Sequence, residues 1–346
     1  MSPSLIAALP AGALSETAPA KLNLYLHVVG RRSDGYHHLD SLVAFTEAAD
    51  RLRAEPAADL SLGVDGLFAD GLKEEGDNIV LKAARALRAL AVIPAPILPA
   101  RVAATPTLRA RDPDAGVKPF PEKSLDAGFR RHDDPEGDRA NAIAHGARFT
   151  LIKNLPVASG IGGGSADAAA ALRLLRRLWR LDADDAALRG IAATLGADVP
   201  VCLGGVTSFM GGVGEELAPA PKLPPVGIVL VNPRVPLITA RVFQARNGRF
   251  SQPARFAETP ADARHLAAVL AVRGNDLEAP AATLVPAILS VLDGLRASPG
   301  CLLARLSGSG ATAFGLYESE AAASVAASWI GARERHWWVV PTRLRG

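Results

Sequence analysis

Pro156-Val-Ala-Ser-Gly-Ile-Gly-Gly-Gly-Ser-Ala-Asp-Ala-Ala-Ala-Ala171 is the stretch whose reading decides the fold. Gly160, Gly162, Gly163 and Gly164 abut a strong helix-forming run. Glycine has no Cβ and tolerates φ > 0, so such a loop can bring bare backbone N–H groups up to a ligand. The helix behind it aims its unsatisfied N–H groups and the positive end of its dipole at the same place. The combination is an anion site suited to phosphate. A Walker A loop is excluded, because no Gly-Lys pair occurs in the chain. A Rossmann fingerprint fails too, since Ser165 stands where its third glycine belongs. Ser165 is read as the N-cap or first residue of a helix running to Trp179. Leu172, Leu175 and Leu178 share one face of that helix.

Working outward, the chain of 346 residues is long enough for two lobes with substantial cores. It is 49% hydrophobic and 21% charged, with a formal net charge of +3. That composition is globular, and without a basic run it argues against nucleic-acid binding. Cys202 and Cys301 provide neither a disulfide framework nor metal-ligand spacing, which fits a reducing cytoplasm. No apolar run is long enough to span a bilayer. Residues 1–16 lack the positive leader of a signal peptide and read as a loose or alternatively started N-terminus.

Leu22–Val29 alternates apolar and polar residues as a half-buried strand does, and Leu39–Phe45 is a second extended segment. Residues 31–36 read as the loop between them. A helix is predicted over Ile79–Leu90. Residues 94–147 are rich in Pro, Arg and Asp and lack periodicity. They read as an insertion, mobile or draped over the surface, and deletion of about residues 100–140 should leave folding intact. Phe149–Ile152 is a predicted strand entering the glycine loop. Asp184–Leu195 is a predicted helix stopped at Gly196 in the αL conformation. Pro219–Pro225 reads as a linker and Val226–Val231 as a buried strand. Helices near 262–273, 281–296 and 320–333 follow, with strands flanking a turn over Leu306–Leu316 and a last strand near Trp337–Val340. Alternating helices and strands in both halves imply an α/β or α+β protein of two lobes, 17–218 and 226–346.

Three more segments hold polar groups that a plain element would not need. Pro19-Ala-Lys-Leu-Asn-Leu24 precedes Gly35-Tyr-His-His38. Lys21 and Asn23 are two apart, so on a strand they face one side. Gly196-Ala-Asp-Val-Pro200 places Asp198 directly after a helix, and Leu306-Ser-Gly-Ser-Gly-Ala311 is a glycine-rich turn. Taken singly, Lys21 reads as a strand-end charge and Asp198 as a turn former. Their order around one phosphate loop raises the joint weight.

Together the four segments resemble the signature motifs of the GHMP kinase superfamily, small-molecule kinases without a Walker A loop. Pro-Ala-Lys-x-Asn-Leu followed by Gly-Arg-Arg-x-Asp-Gly-Tyr-His is similar to one subfamily in particular. It phosphorylates the 2-hydroxyl of a cytidine diphosphate-linked methylerythritol in non-mevalonate isoprenoid synthesis. The resemblance covers about Thr17 to Glu318, apart from the insertion. It implies a two-lobed α+β kinase fold with the active site in the cleft between lobes. It also implies ATP and Mg2+ as cofactors, a small-molecule partner rather than nucleic acid or membrane, and a monomer or weak homodimer.

By the same resemblance, Asp198 is the general base and Lys21 stabilises charge on the transferring phosphoryl group. Pro156, Ala158, Gly160, Gly162, Gly163, Gly164, Ser165 and Ala166 form the phosphate cradle. Ser165 is placed to touch a phosphate or Mg2+, and Ala166 stands where many members carry a second Ser. Asn78 and Lys153 line the adenine pocket. Asn23, Tyr36, His37, Thr239, Phe243, Gly308 and Gly310 serve the acceptor side, with a cytosine stacked between Tyr36 and Phe243. Other acceptors within the superfamily, homoserine or mevalonate, are disfavoured by Gly35-Tyr36-His37. A silent nucleotide binder is disfavoured by the presence of both Lys21 and Asp198.

Overall fold

The structure, a computed structural model, describes residues 12–72, 78–92 and 146–345. The expected insertion therefore lies outside the described residues, except for its last two positions. Residues 1–11 lie outside them as well.

Two long strands, β1 (Leu14–Arg31) and β2 (His37–Ala57), form an antiparallel hairpin that organises the first lobe. β1 begins at Leu14, so the expected domain start at residue 17 falls inside a strand. The second strand is also far longer than the Leu39–Phe45 segment legible from alternation. Its distal half carries Asp50, Arg51 and Arg53, which break the apolar pattern, yet it pairs with β4 (Gly146–Ile152). β3 (Leu60–Asp65), β5 (Ser208–Gly211) and β6 (Glu216–Pro219) complete the sheet in the order β3-β4-β2-β5-β6, with β1 paired to β2. Against it pack α1 (Ile79–Val92), α2 (Gly163–Leu178), α3 (Asp185–Leu195) and the short α4 (Val199–Gly204). Their apolar stripes and one face of the sheet bury a shared core containing Val43, Phe45, Phe149, Leu172 and Leu175.

A second, antiparallel sheet is ordered β10-β7-β9-β8. It is built from β7 (Gly227–Asn232), β8 (Leu303–Leu306), β9 (Ala313–Tyr317) and β10 (Trp338–Arg343). Its helices are α5 (Thr239–Ala245), α6 (Ala263–Ala271), α7 (Glu278–Leu284), α8 (Ala287–Ala297) and α9 (Glu320–Arg333). The helix expected over 281–296 is two. Val285, just before Pro286, takes φ −134°, ψ 86°, as the crowding of a pre-proline residue favours, and the next helix starts behind that proline.

β7 shows what holds the lobes together. Val229 and Val231 enter the second lobe's core, whereas Ile228 and Leu230 point the other way. There they meet Leu22 and Leu24 of β1 and Leu42 and Ala44 of β2. Period-two alternation thus gives each sheet a second buried face, and the two sheets share a core. The two-lobed α+β architecture is the one the sequence implies.

Candidate active site

Because Ala20, Leu22 and Leu24 of β1 are spent on that shared core, Lys21 and Asn23 must project from the opposite face. That face meets the start of α2. Lys21 Nζ donates to Asp198 Oδ2 at 2.8 Å and to Asn23 Oδ1 at 3.1 Å. The Lys21 side chain is 4% exposed and that of Asp198 is 35% exposed. The pair is therefore anchored from the lysine side and open from the carboxylate side. Asp198 stands just before α4 but makes no side-chain cap, so its carboxylate is not consumed as a turn former. Pro200 in the first turn of α4 has no N–H to satisfy there.

The glycine loop wraps around Lys21, whose backbone N–H donates to the Ile161 carbonyl. Gly162 takes φ 62° as the N-cap of α2, and a Cβ on it would sit 3.2 Å from the Lys21 side chain. Gly160 takes φ 77°, and a Cβ there would lie 2.4 Å from the Ser307 carbonyl and 2.5 Å from the Gly310 nitrogen. Only glycine satisfies both constraints. The 307–310 turn thereby seals the loop from the second lobe, with Ser307 Oγ donating to the Gly160 carbonyl at 3.2 Å.

Ser165 is the third residue of α2, not its cap, because Gly162 in αL already ends the loop. Gly196 is likewise not an αL stop: it takes φ 158°, ψ 154°, a conformation that residues with a side chain rarely adopt, leading straight into Ala197 and Asp198. Ala166 is buried in the first lobe's core and does not line the pocket. Gly310 packs behind Gly160, whereas Gly308 and Ser309 face the pocket.

One cavity of about 1170 Å³ is lined by Lys21, Asn23, Asp198, the glycine loop, Tyr36, His37, Thr239 and Phe243. Asn78 and Lys153 border it too, but each has prior commitments. Asn78 Oδ1 accepts the Val80 N–H and caps α1. Lys153 Nζ, 2% exposed, binds Asp50 Oδ2 at 2.5 Å and Asp167 Oδ2 at 2.6 Å, directly beneath Gly163. Its charge is thus already committed to two buried carboxylates. Asp167 Oδ1 is buried without a hydrogen-bond partner. Burial, with Asp50 opposing and Lys153 only partly compensating, pushes the Asp167 carboxyl up to about 7.

On the acceptor side, Phe243 stacks on His37 with centroids 5.1 Å apart at 22°. Tyr36, the expected partner of a base on Phe243, is 65% exposed and stands outside that stack. Burial, then Arg31 and Arg246, hold the His37 imidazole below its ordinary value. Thr239 Oγ1 pairs with Ser309 Oγ at 2.8 Å across the second lobe.

Ser41, Asp50 and Asp167 support the site but were not singled out in the sequence, and Ser307 was noted only as part of its glycine-rich turn. Asp167 carried the one visible signal, a lone carboxylate inside an alanine run. Among the described residues no three carboxylate, imidazole or thiol side chains converge to hold a metal ion, and no helix is long and apolar enough to cross a membrane.

A glycine-rich cradle without a Walker lysine, facing a buried lysine and an open carboxylate, defines a small-molecule kinase of the GHMP class. The family model for the GHMP kinase N-terminal domain matches residues 130–206, and that for the C-terminal domain matches 256–333. Proteins named 4-diphosphocytidyl-2-C-methyl-D-erythritol kinase match over nearly full length. The one from Paramagnetospirillum magneticum is 46% identical over 94% of this chain and 97% of its own. That from Rhodospirillum rubrum is 44% identical over 97% and 94%. A crystal structure of 4-(cytidine 5'-diphospho)-2C-methyl-D-erythritol kinase matches with TM-score 0.65 and 31% identity over 96% of this chain and all of the other. A homoserine kinase from Cytophaga hutchinsonii shares the fold at TM-score 0.62 with 14% identity, covering 99% and 97%. The chain belongs to the 4-diphosphocytidyl-2-C-methyl-D-erythritol kinase family.

Proposed function

We propose that this chain transfers the γ-phosphoryl group of ATP to the 2-hydroxyl of 4-diphosphocytidyl-2-C-methyl-D-erythritol, in the cytoplasm. The observation that carries the reading is the 2.8 Å Lys21–Asp198 pair set against the glycine loop, in a chain whose Gly-Tyr-His segment borders the same cavity. Asp198 takes the proton as the acceptor oxygen bonds to the γ-phosphorus. The bond from that phosphorus to the β,γ-bridging oxygen breaks, and ADP leaves with the electron pair. Lys21 holds the carboxylate in place and offsets charge on the transferring group.

The glycine loop and the first turn of α2 supply N–H groups for the phosphates. Ser165, Asp167 and Asp198 border the cavity and are the protein oxygens that would hold Mg2+ beside the nucleotide phosphates. Mg2+ held there would neutralise phosphate charge. On the acceptor side, the cytosine takes the face of Phe243 now covered by His37, with Tyr36 closing over it.

Asp198→Asn tests the assignment. It keeps the shape and removes the base, so kcat should fall by about 10²–10⁴-fold while ATP binding persists. Near-normal turnover would remove Asp198 as the base. A silent nucleotide binder would show no acceptor turnover to lose.

A further inference from the structure

Behind Lys21 a line of hydrogen bonds runs through Asn23 to Ser41, a residue that no motif names. Lys21 Nζ donates to Asn23 Oδ1 at 3.1 Å, and Asn23 Nδ2 donates to Ser41 Oγ at 2.8 Å. Ser41 Oγ donates to the Tyr25 backbone carbonyl at 2.5 Å. Ser41 is fully buried and Asn23 is 1% exposed. The Asn23 backbone N–H is held separately by Ser307 Oγ at 3.3 Å.

The polarity of this line follows from donor counting. A carbonyl can only accept, so the single Ser41 proton points at Tyr25. The Ser41 oxygen is then an acceptor toward Asn23, and the amide must present its NH2 to it. That turns Asn23 Oδ1 toward Lys21, whose ammonium can only donate. A backbone carbonyl of β1 thus dictates, through one hydroxyl, which way the amide faces and where the ammonium stands. Without the hydroxyl the buried Asn23 NH2 loses its acceptor, and only repulsion by the ammonium still opposes a flip. Flipped, it would aim NH2 at a cation, and Lys21 would lose its second anchor beside Asp198.

We propose that Ser41 is a positioning residue for the Lys21–Asp198 pair, acting through Asn23. The proposal rests on the kinase reading of that pair. It does not concern substrate contact, since Ser41 lies outside the cavity lining.

Ser41→Ala and the near-isosteric Ser41→Cys are assayed for phosphoryl transfer beside Asn23→Ala and the Ser41→Ala/Asn23→Ala double variant. A misplaced Lys21 should lower kcat of Ser41→Ala about 10- to 100-fold, with KM for ATP and acceptor nearly unchanged. The double variant should be no worse than Asn23→Ala within about threefold, because both changes break one line. Ser41→Thr, which keeps the hydroxyl, should recover most of kcat. Unchanged kcat in Ser41→Ala, KM values that rise in place of the kcat loss, or losses that multiply in the double variant overturn the proposal. If Ser41→Ala does not fold, the same readings are taken on Ser41→Cys. The wild-type chain in the same assay separates the two claims. Failure to phosphorylate the cytidylyl acceptor counts against the functional reading alone, and the variants are then compared on whichever acceptor the wild type does phosphorylate.

Discussion

At the residue scale, the shared face of Lys21 and Asn23 could be read from spacing, while the nearness of Lys21 to Asp198 was implied only by the family resemblance. Lys21 and Asn23 are two apart on an alternating segment, so a shared face was forced. Asp198 taken singly read as a turn former and gained weight only from its order around the phosphate loop, and the structure places no cap on it. The supporting side chains were not legible, because Ser41 and Asp50 meet the site only through strand pairing and tertiary packing. Phe243 was legible only as a candidate, and its stacking on His37 was not.

Two expectations belong here. Phe243→Ala should raise KM for the cytidylyl acceptor about 5- to 150-fold, the loss of about 1–3 kcal/mol of base stacking, and leave KM for ATP unchanged. Steady-state kinetics with each substrate varied in turn checks this. For His37, burial, Arg31 and Arg246 lower the folded-state value, so the ring stays neutral above the ordinary histidine value of about 6.5. KM for the acceptor should therefore stay flat down through that pH and rise only below it. His37→Gln should abolish the rise.

At the element scale, the glycine loop and α2 act as one unit held from below and from the side. From the side, Gly160 leaves no room for a Cβ against the backbone of the 307–310 turn. Gly160→Ala should lower ATP affinity and the thermal midpoint together, since neither backbone can yield alone. From below, Lys153 pairs with Asp50 and Asp167. Lys153→Met leaves two buried carboxylates without their cation and should cost about 3–5 kcal/mol in denaturant unfolding.

Asp167 gives that cluster a pH signature. Its folded value, about 7, lies above its unfolded one, so the native state binds the extra proton between about 4 and 7. The stability it contributes is present at low pH and is lost as pH rises through the folded value. Asp167→Asn should therefore gain on the wild type in unfolding midpoint as pH is raised across that window. The helix α2 itself was legible, but its first residue was not. Ser165 looked like a cap because caps favour serine, while the glycine before Gly163 reached αL and ended the loop first. Pro286 was visible in the sequence, yet periodicity ran straight across the break it causes.

At the scale of the whole molecule, two sheets share a buried layer between them, and the cavity opens where β1, α2 and the 307–310 turn meet. Alternation of helices and strands gave the architecture. The length of β2 was hidden, because its distal half carries charges that tertiary pairing tolerates and propensity does not. The identity of the acceptor is the claim that the rest of the account serves. It is tested most directly by presenting the wild-type chain with ATP and, in parallel, 4-diphosphocytidyl-2-C-methyl-D-erythritol, homoserine and mevalonate, and measuring kcat/KM for phosphoryl transfer to each. The account predicts transfer to the cytidylyl acceptor and little to the others. Faster phosphorylation of homoserine or mevalonate would contradict it.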